Sequence, residues 1–191
     1  MTTTLIGIGL FEMTLDDGRL PTRIDVNGSL HAQLESCNFS AAAMTGYYNA
    51  LWKHDAAVIA TGNFSALSVR PSRRAEMIAL LNSKSLAEYE LIERAAQGYC
   101  EFIGTGPTTD FELPSVTVTA NMSRLLDIKI DVRWAASTQP SYIGYDIIEC
   151  ANQVRRQRPR FDEDGSWAQR DDEELEHELN EYRNYLTRNP Q

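Results

Sequence analysis

A strand, turn, strand and helix follow one another twice along this chain, and that order most limits the fold. The first pass runs Glu12-Met13-Thr14-Leu15, a turn at Asp16-Asp17-Gly18, Arg19-Leu20 and Ile24-Asp25-Val26. A helix carrying Met44, Tyr47, Tyr48, Leu51 and Trp52 at helical spacing comes next. The second pass runs Val116-Thr117-Val118-Thr119, a turn at Asn121-Met122-Ser123, Arg124-Leu125 and Ile130-Asp131-Val132, then a helix spanning Ile143 to Val154. A two-stranded hairpin is marginal in water, so each needs a helix or another strand on its apolar face. The fold class that follows is α+β: two antiparallel hairpin-plus-helix units. The gap from Arg-Leu to Ile-Asp-Val differs by one residue between the passes, which calls for a bulge or a register change. Such self-similarity fits a duplicated unit. It fits equally two ordinary hairpins, each followed by a helix.

The remaining elements fall between and after these passes. Residues 5–15 read as a strand and 19–26 as its return, with Pro21 placing that end at an edge. Helix is expected over 39–60, with Ser40 as its cap, ending at Thr61-Gly62-Asn63. Ala66-Leu67-Ser68-Val69 has the look of a short strand. Pro71 opens a helical zone with Met77, Ile78, Leu80 and Leu81. Ser85-Leu86-Ala87-Glu88 is a capping box, in which the serine bonds the N3 amide and the glutamate reaches back. The helix after it is expected over 86–103, with Tyr89, Ile92, Ala95, Ala96, Tyr99, Phe102 and Ile103 on one face. Strands 115–120 and 124–132 form the second hairpin, and the last compact helix runs from Tyr142 to about Arg156. The division that results is 1–70, 71–160 and an acidic linker and helix over 161–191.

The 191 residues carry 18 basic and 27 acidic side chains, a net charge of -9. The charge is uneven. Residues 162–191 hold ten acids against three bases, so the body is nearly neutral and the tail is acidic. Hydrophobic residues make up 42% and charged residues 24%, the composition of a globular chain. Within the tail, Leu175, Leu179, Tyr182 and Leu186 are spaced 4, 3 and 4, a narrow apolar seam like that of a coiled coil. A helix so polar elsewhere must dock on something. Trp167, in the linker, is an aromatic of the kind interfaces use as anchors. These five residues are the candidate partner-binding set. Arg155, Arg156, Arg158 and Arg160 form the one basic cluster. They are the candidate nucleic-acid contacts, or else helix-terminal cations that balance the following acids.

Catalytic and metal-binding signals are weak. Gly7-Ile8-Gly9 lacks the third glycine and the G-K-[ST] of a phosphate loop. Glu174 and His177 have the spacing of half a carboxylate-bridged metal site, with no second half. Lys53-His54-Asp55 has no nucleophile or oxyanion motif beside it. Cys37, Cys100 and Cys150 are far apart and odd in number, which fits thiols in a reducing compartment and no zinc site. No enzyme activity, cofactor or metal is therefore expected. No apolar run is long enough to span a membrane. Residues 1–10 have no secretory pattern, so the expected compartment is the cytoplasm, and the Asn-x-Ser triplets at 38, 63 and 121 read as chance.

The helix over 86–103, Val116–Thr119, Leu125–Asp131 and Asp146-Ile147-Ile148-Glu149-Cys150-Ala151-Asn152 together resemble the YbaB/EbfC-like family. The first hairpin matches through Asp16-Asp17-Gly18-Arg19-Leu20, which has that family's glycine in the turn; the second has Asn121-Met122-Ser123 there. The resemblance implies a small dimeric protein without an active site, here a homodimer or an internal pseudo-dimer. It implies a protein-binding accessory or chaperone-like factor of the type VII secretion kind. The alternatives are a nucleoid-associated DNA-binding protein and a structural subunit of a viral or other large assembly.

Overall fold

The structure is a computed structural model that describes residues 7–62, 64–67 and 70–189. The architecture is α+β, with two small antiparallel sheets and seven α-helices among the described residues. Two compact units form, each from two pieces of chain: 1–67 with 101–157, and 68–100 with 158–191. This division differs from the sequential one read off the sequence. Segments distant in sequence share a core in each unit, and composition along the chain carries no trace of that.

In the first unit, β1 (Phe11–Leu15) pairs with β2 (Pro21–Val26). A short α1 (Leu30–Gln33) and the long α2 (Phe39–Ala60) follow. After the second unit's first segment come β3 (Phe102–Thr105), β4 (Val116–Ala120) and β5 (Leu125–Ile130), in sheet order β3-β4-β5. A short α5 (Val132–Ser137) and the long α6 (Pro140–Gln157) close the unit. Hairpin, short helix and long helix therefore occur twice in the same order. Packing is reciprocal. Helix α2 lies on its own first strand β1 and on β5 of the other copy; α6 lies on its own first strand β4 and on β2 of the other copy.

The two turns are built alike. The Asp16 side chain accepts from Leu20 N (2.8 Å), and the Asn121 side chain accepts from Ser123 N and Arg124 N (both 2.9 Å). An Asx side chain satisfying turn amides is a standard local device. Each hairpin has an irregularity next to its turn, at Thr14/Leu15 and at Thr119/Ala120. The one-residue discrepancy in the sequence lies in the turns: five residues, 16–20, separate the paired Leu15 and Pro21, and four, 121–124, separate the paired Ala120 and Leu125. Strand β5 ends at Ile130, and Asp131 caps α5 by accepting from Trp134 N (2.7 Å). The counterpart of Ile24-Asp25-Val26 is thus Ile128-Lys129-Ile130.

Polar bonds tie the copies together. The buried Tyr47 hydroxyl donates to Arg19 O (3.1 Å) in the first turn and accepts from Leu125 N (3.0 Å) at the start of β5. Ser40, expected as the cap of α2, lies inside the helix, with Asn38 at the cap position; its Oγ accepts from Ile130 N (3.0 Å), and His31 Nε2 lies 2.7 Å from Ala135 O.

The second unit is a helical assembly of α3 (Arg73–Leu81), α4 (Leu86–Ala96) and α7 (Asp172–Arg188). The serine cap of α4 is as read: Ser85 Oγ accepts from Glu88 N (3.2 Å), while the Glu88 carboxylate takes the Lys84 amide (2.7 Å). The helix then stops short. Gly98 has a φ of 82°, which an L residue rarely adopts, and residues 102–105 form β3 where helix was expected. The expected strand at 66–69 is a 3-10 turn over Phe64–Leu67; Asn63, Ser68 and Val69 lie outside the described residues, as does the start of the strand read over 5–15. Residues 7–10 form a turn before β1. No helix among the described residues is long and apolar enough to cross a membrane.

Two outcomes follow for stability. Tyr47→Phe removes the partner of a buried amide and of a part-buried carbonyl, so it should cost about 1–3 kcal/mol in denaturant unfolding, because buried groups that lose a hydrogen bond carry their desolvation penalty. Leu179→Ala should cost about 2–5 kcal/mol in the second unit, as large-to-small core changes do. A fall in the midpoint with unchanged slope is the expected reading for each.

Candidate protein-docking surface

The tail residues expected to meet a partner are placed in the second unit's own core. Leu175, Leu179 and Leu186 are buried among Met77, Ile78, Leu80, Leu81, Tyr89 and Ile92. Trp167 and Tyr182 are half-buried against the same cluster, and the Tyr182 hydroxyl donates to Ser83 O. Arg74 fastens the linker by donating to Ala168 O and Arg170 O (both 2.7 Å). The seam does need a docking site, as its sequence demanded, and finds it on α3 and α4 of this chain. At about 1.5–3 kcal/mol for each buried leucine, that burial is a large part of the unit's stability.

The arginine cluster is also partly engaged. Arg155 sits at the end of α6 and reaches the first hairpin, with Nε 2.6 Å from Asp16 Oδ2. Its terminal nitrogens donate to Leu20 O (3.0 Å), Pro21 O (2.6 Å) and the Asn152 side chain (2.6 Å). From the other helix, Asp55 accepts from Arg19 Nε at 3.0 Å and also lies beside His54 Nδ1. Both long helices thus grip one turn, and Asp55, once weighed with His54 as part of a base, serves that grip. Arg156 and Arg160 are exposed, and Arg158 is half-buried.

The surface that the sequence reading missed lies on α2. Apolar residues occur all round this helix, and a helix of that kind needs cover on every side. Phe39, Ala42, Ala43, Gly46, Tyr47 and Ala50 face the core. Tyr48, Trp52 and Ile59 point the opposite way, at relative exposures of 49%, 71% and 49%. Their spacing of 4 and 7 aligns them in one solvent-facing stripe. The sequence places Tyr48 and Trp52 at helical spacing with Met44, Tyr47 and Leu51 and does not separate an outward face from an inward one. The signal available in the sequence was the width of the apolar set, too broad for one face. The other long helix repeats the pattern on a smaller scale, with Tyr142 and Tyr145 each 60% exposed. Exposed aromatics clustered on a rigid element are the usual anchors of protein interfaces.

No group of three His, Cys, Asp or Glu residues that could hold a metal occurs among the described residues. Cys150 is buried, and its thiol is pushed up to about 12, first by burial and then by the charges of Asp146 and Glu149. A thiol held protonated is a poor nucleophile. In the unfolded chain a cysteine ionises near 9.0. The folded state therefore holds this proton through the interval between, and the associated stability is whole below pH 9 and is lost as pH rises through about 12. Thiol titration at pH 8 should find Cys37, the exposed cysteine, reacting promptly, with Cys100 and Cys150 reacting only on unfolding. Prompt reaction of a second thiol would contradict the assignment.

Comparison with protein-family models, curated proteins and solved structures finds no match to this chain.

Proposed function

We propose that this protein is a non-enzymatic interaction module that binds a partner protein through α2. The reading agrees with the YbaB-like resemblance, and with it comes the role of an accessory or chaperone-like factor, of the kind associated with type VII secretion, working in the cytoplasm. The single observation that carries it is the Tyr48–Trp52–Ile59 stripe. It is an apolar face on a 22-residue helix whose opposite side is already fixed in the core. Covering a tryptophan and a tyrosine removes a large apolar area from water at small entropic cost, since the backbone beneath is rigid. The reciprocal packing of the two copies supports an internal pseudo-dimer, with the two outward helix faces as its two presentation surfaces. The arginines support nucleic acid less well, because Arg155 is already bound to Asp16 and to the backbone of the first hairpin.

Affinity isolation from native lysate tests the reading. The full chain is compared with Trp52→Glu and Tyr48→Glu, each checked for unchanged circular dichroism. A protein retained by the full chain, lost about tenfold or more with either variant and indifferent to nuclease, is the expected result for interface hot spots. Retention unaffected by both variants, or abolished by nuclease and steeply weakened by salt, would overturn it.

A further inference from the structure

Among the described residues, one copy of the repeated architecture has a third strand and the other has two. In the second copy, β3 lies along the outer edge of β4, pairing Phe102 with Ala120 through Thr105 with Thr117. Gly106 N donates to Val116 O (2.8 Å) just beyond it. The far side of β3 is held by two amide side chains of α6, four residues apart. Gln153 bonds both backbone groups of Thr105 (3.0 and 2.8 Å), and Gln157 donates to Ile103 O (2.8 Å). Val116, Val118 and Ala120 of β4 are fully buried as a result.

Strand β1 holds the corresponding place in the first copy, and its sheet has only two strands among the described residues. The amide of Asn27 donates to Leu10 O (2.9 Å), and the register pairs Phe11 with Val26 and Met13 with Ile24. Bonded and non-bonded pairs alternate in an antiparallel ladder, so the N–H and C=O of Phe11 and Met13 point away from β2. Where β4 has β3 beside it, β1 has a cleft of about 300 Å³ lined by Met13, Thr14, Gly46, Asn49 and Lys53. Asn49 and Lys53 are four residues apart on α2, the same spacing as Gln153 and Gln157 on α6. They offer an amide and an ammonium where a third strand's outer carbonyls would lie.

The geometry points to strand addition: the outer edge of β1 receives an extended segment of a partner polypeptide, bound antiparallel as β3 is to β4. Charge defines the segment further. Glu12 stands directly opposite Asp25 on the exposed face of the hairpin, an unfavourable like-charge pair. Asp25 has Arg23 at 2.9 Å, whereas no ion pair forms at Glu12 among the described residues. The guest strand carries a lysine or arginine beside Glu12. Main-chain bonds supply affinity in this mode and alternate side chains supply specificity. This edge is a different surface from the Tyr48–Trp52 stripe, and binding at either stands without the other.

Selection from a displayed library of random peptides of about ten residues, against the full chain, tests the proposal. Enriched peptides are expected to alternate apolar and polar residues and to carry a basic side chain. Their affinity should fall at least about tenfold with Lys53→Glu and with Met13→Pro, which removes an outward amide and no bond to β2. It should be unmoved by Trp52→Glu, and Glu12→Lys should abolish the basic preference. Methylating peptide amides one at a time should weaken binding at alternate positions only, a readout that holds even if Met13→Pro fails to fold. Failure to enrich any peptide, or enriched peptides indifferent to Lys53→Glu and to amide methylation, would overturn it. A concentration-dependent homodimer that Met13→Pro dissolves would overturn it in favour of a second copy at this edge.

Discussion

One phenolic hydroxyl joins the two copies of the repeated unit. Tyr47 is fully buried on α2, yet its oxygen meets the turn of one hairpin and the first residue of the other hairpin's return strand. A buried hydroxyl is tolerable only with partners, and here both partners are backbone groups. The bond therefore fixes three things at once: the height of α2 over its own hairpin, the conformation at Arg19, whose φ is 56°, and the position of β5. The ion pairs Arg19–Asp55 and Asp16–Arg155 reinforce the same turn from both helices. Being about a quarter exposed or less on the arginine side, they add to a geometry already set by packing.

What this arrangement leaves uncovered gives the protein its binding character. Each long helix has one side sunk between two hairpins and the other side facing water. The inner side of α2 mixes Phe39 and Tyr47 with three alanines and a glycine, and Gly46 sits where the helix comes closest to its hairpin. A Cβ there would come within 2.4 Å of Phe11 O, so only glycine lets α2 approach β1 so closely. Phe39 and Tyr47 fill the space that this approach leaves inside, and Tyr48 and Trp52 face outward. Close packing on one face therefore coexists with an aromatic stripe on the other.

Much of this was legible in the sequence, and the failures have physical causes. Helix α2 was read to the residue over 39–60, because a long apolar-rich run with a glycine beyond its end has few alternatives; its expected cap, Ser40, bonds β5 instead. Both hairpins were read from alternation and turn residues. The capping box at Ser85–Glu88 was read from local chemistry. Readings failed where long-range contacts decide. Phe102 and Ile103 continue a helical spacing from Tyr89, but the Gly98 turn and the waiting edge of β4 convert them to strand. Tyr48 and Trp52 fall at helical spacing with Met44 and Leu51, and only the close approach of Phe11 to Gly46 shows which arc is inside. The seam at Leu175, Leu179 and Leu186 was recognised as a docking face. That its dock lies near residue 80 of the same chain is a fact of tertiary structure, invisible to periodicity.

The division of the second unit into two segments has a consequence for the order of folding. Helices α3 and α4 leave the ribosome long before α7 exists, and the Tyr182–Ser83 bond closes a separation of 99 residues. Until then Met77, Ile78, Leu80 and Tyr89 have no cover from the tail. The intervening 101–157 can meanwhile join 1–67, since both hairpins and both long helices are then complete. Contacts of such long sequence separation form slowly and leave apolar surface open to association while they wait. The acidic residues that crowd α7 then act last, on the segment whose arrival ends that exposure, and they keep the final helix soluble until it docks.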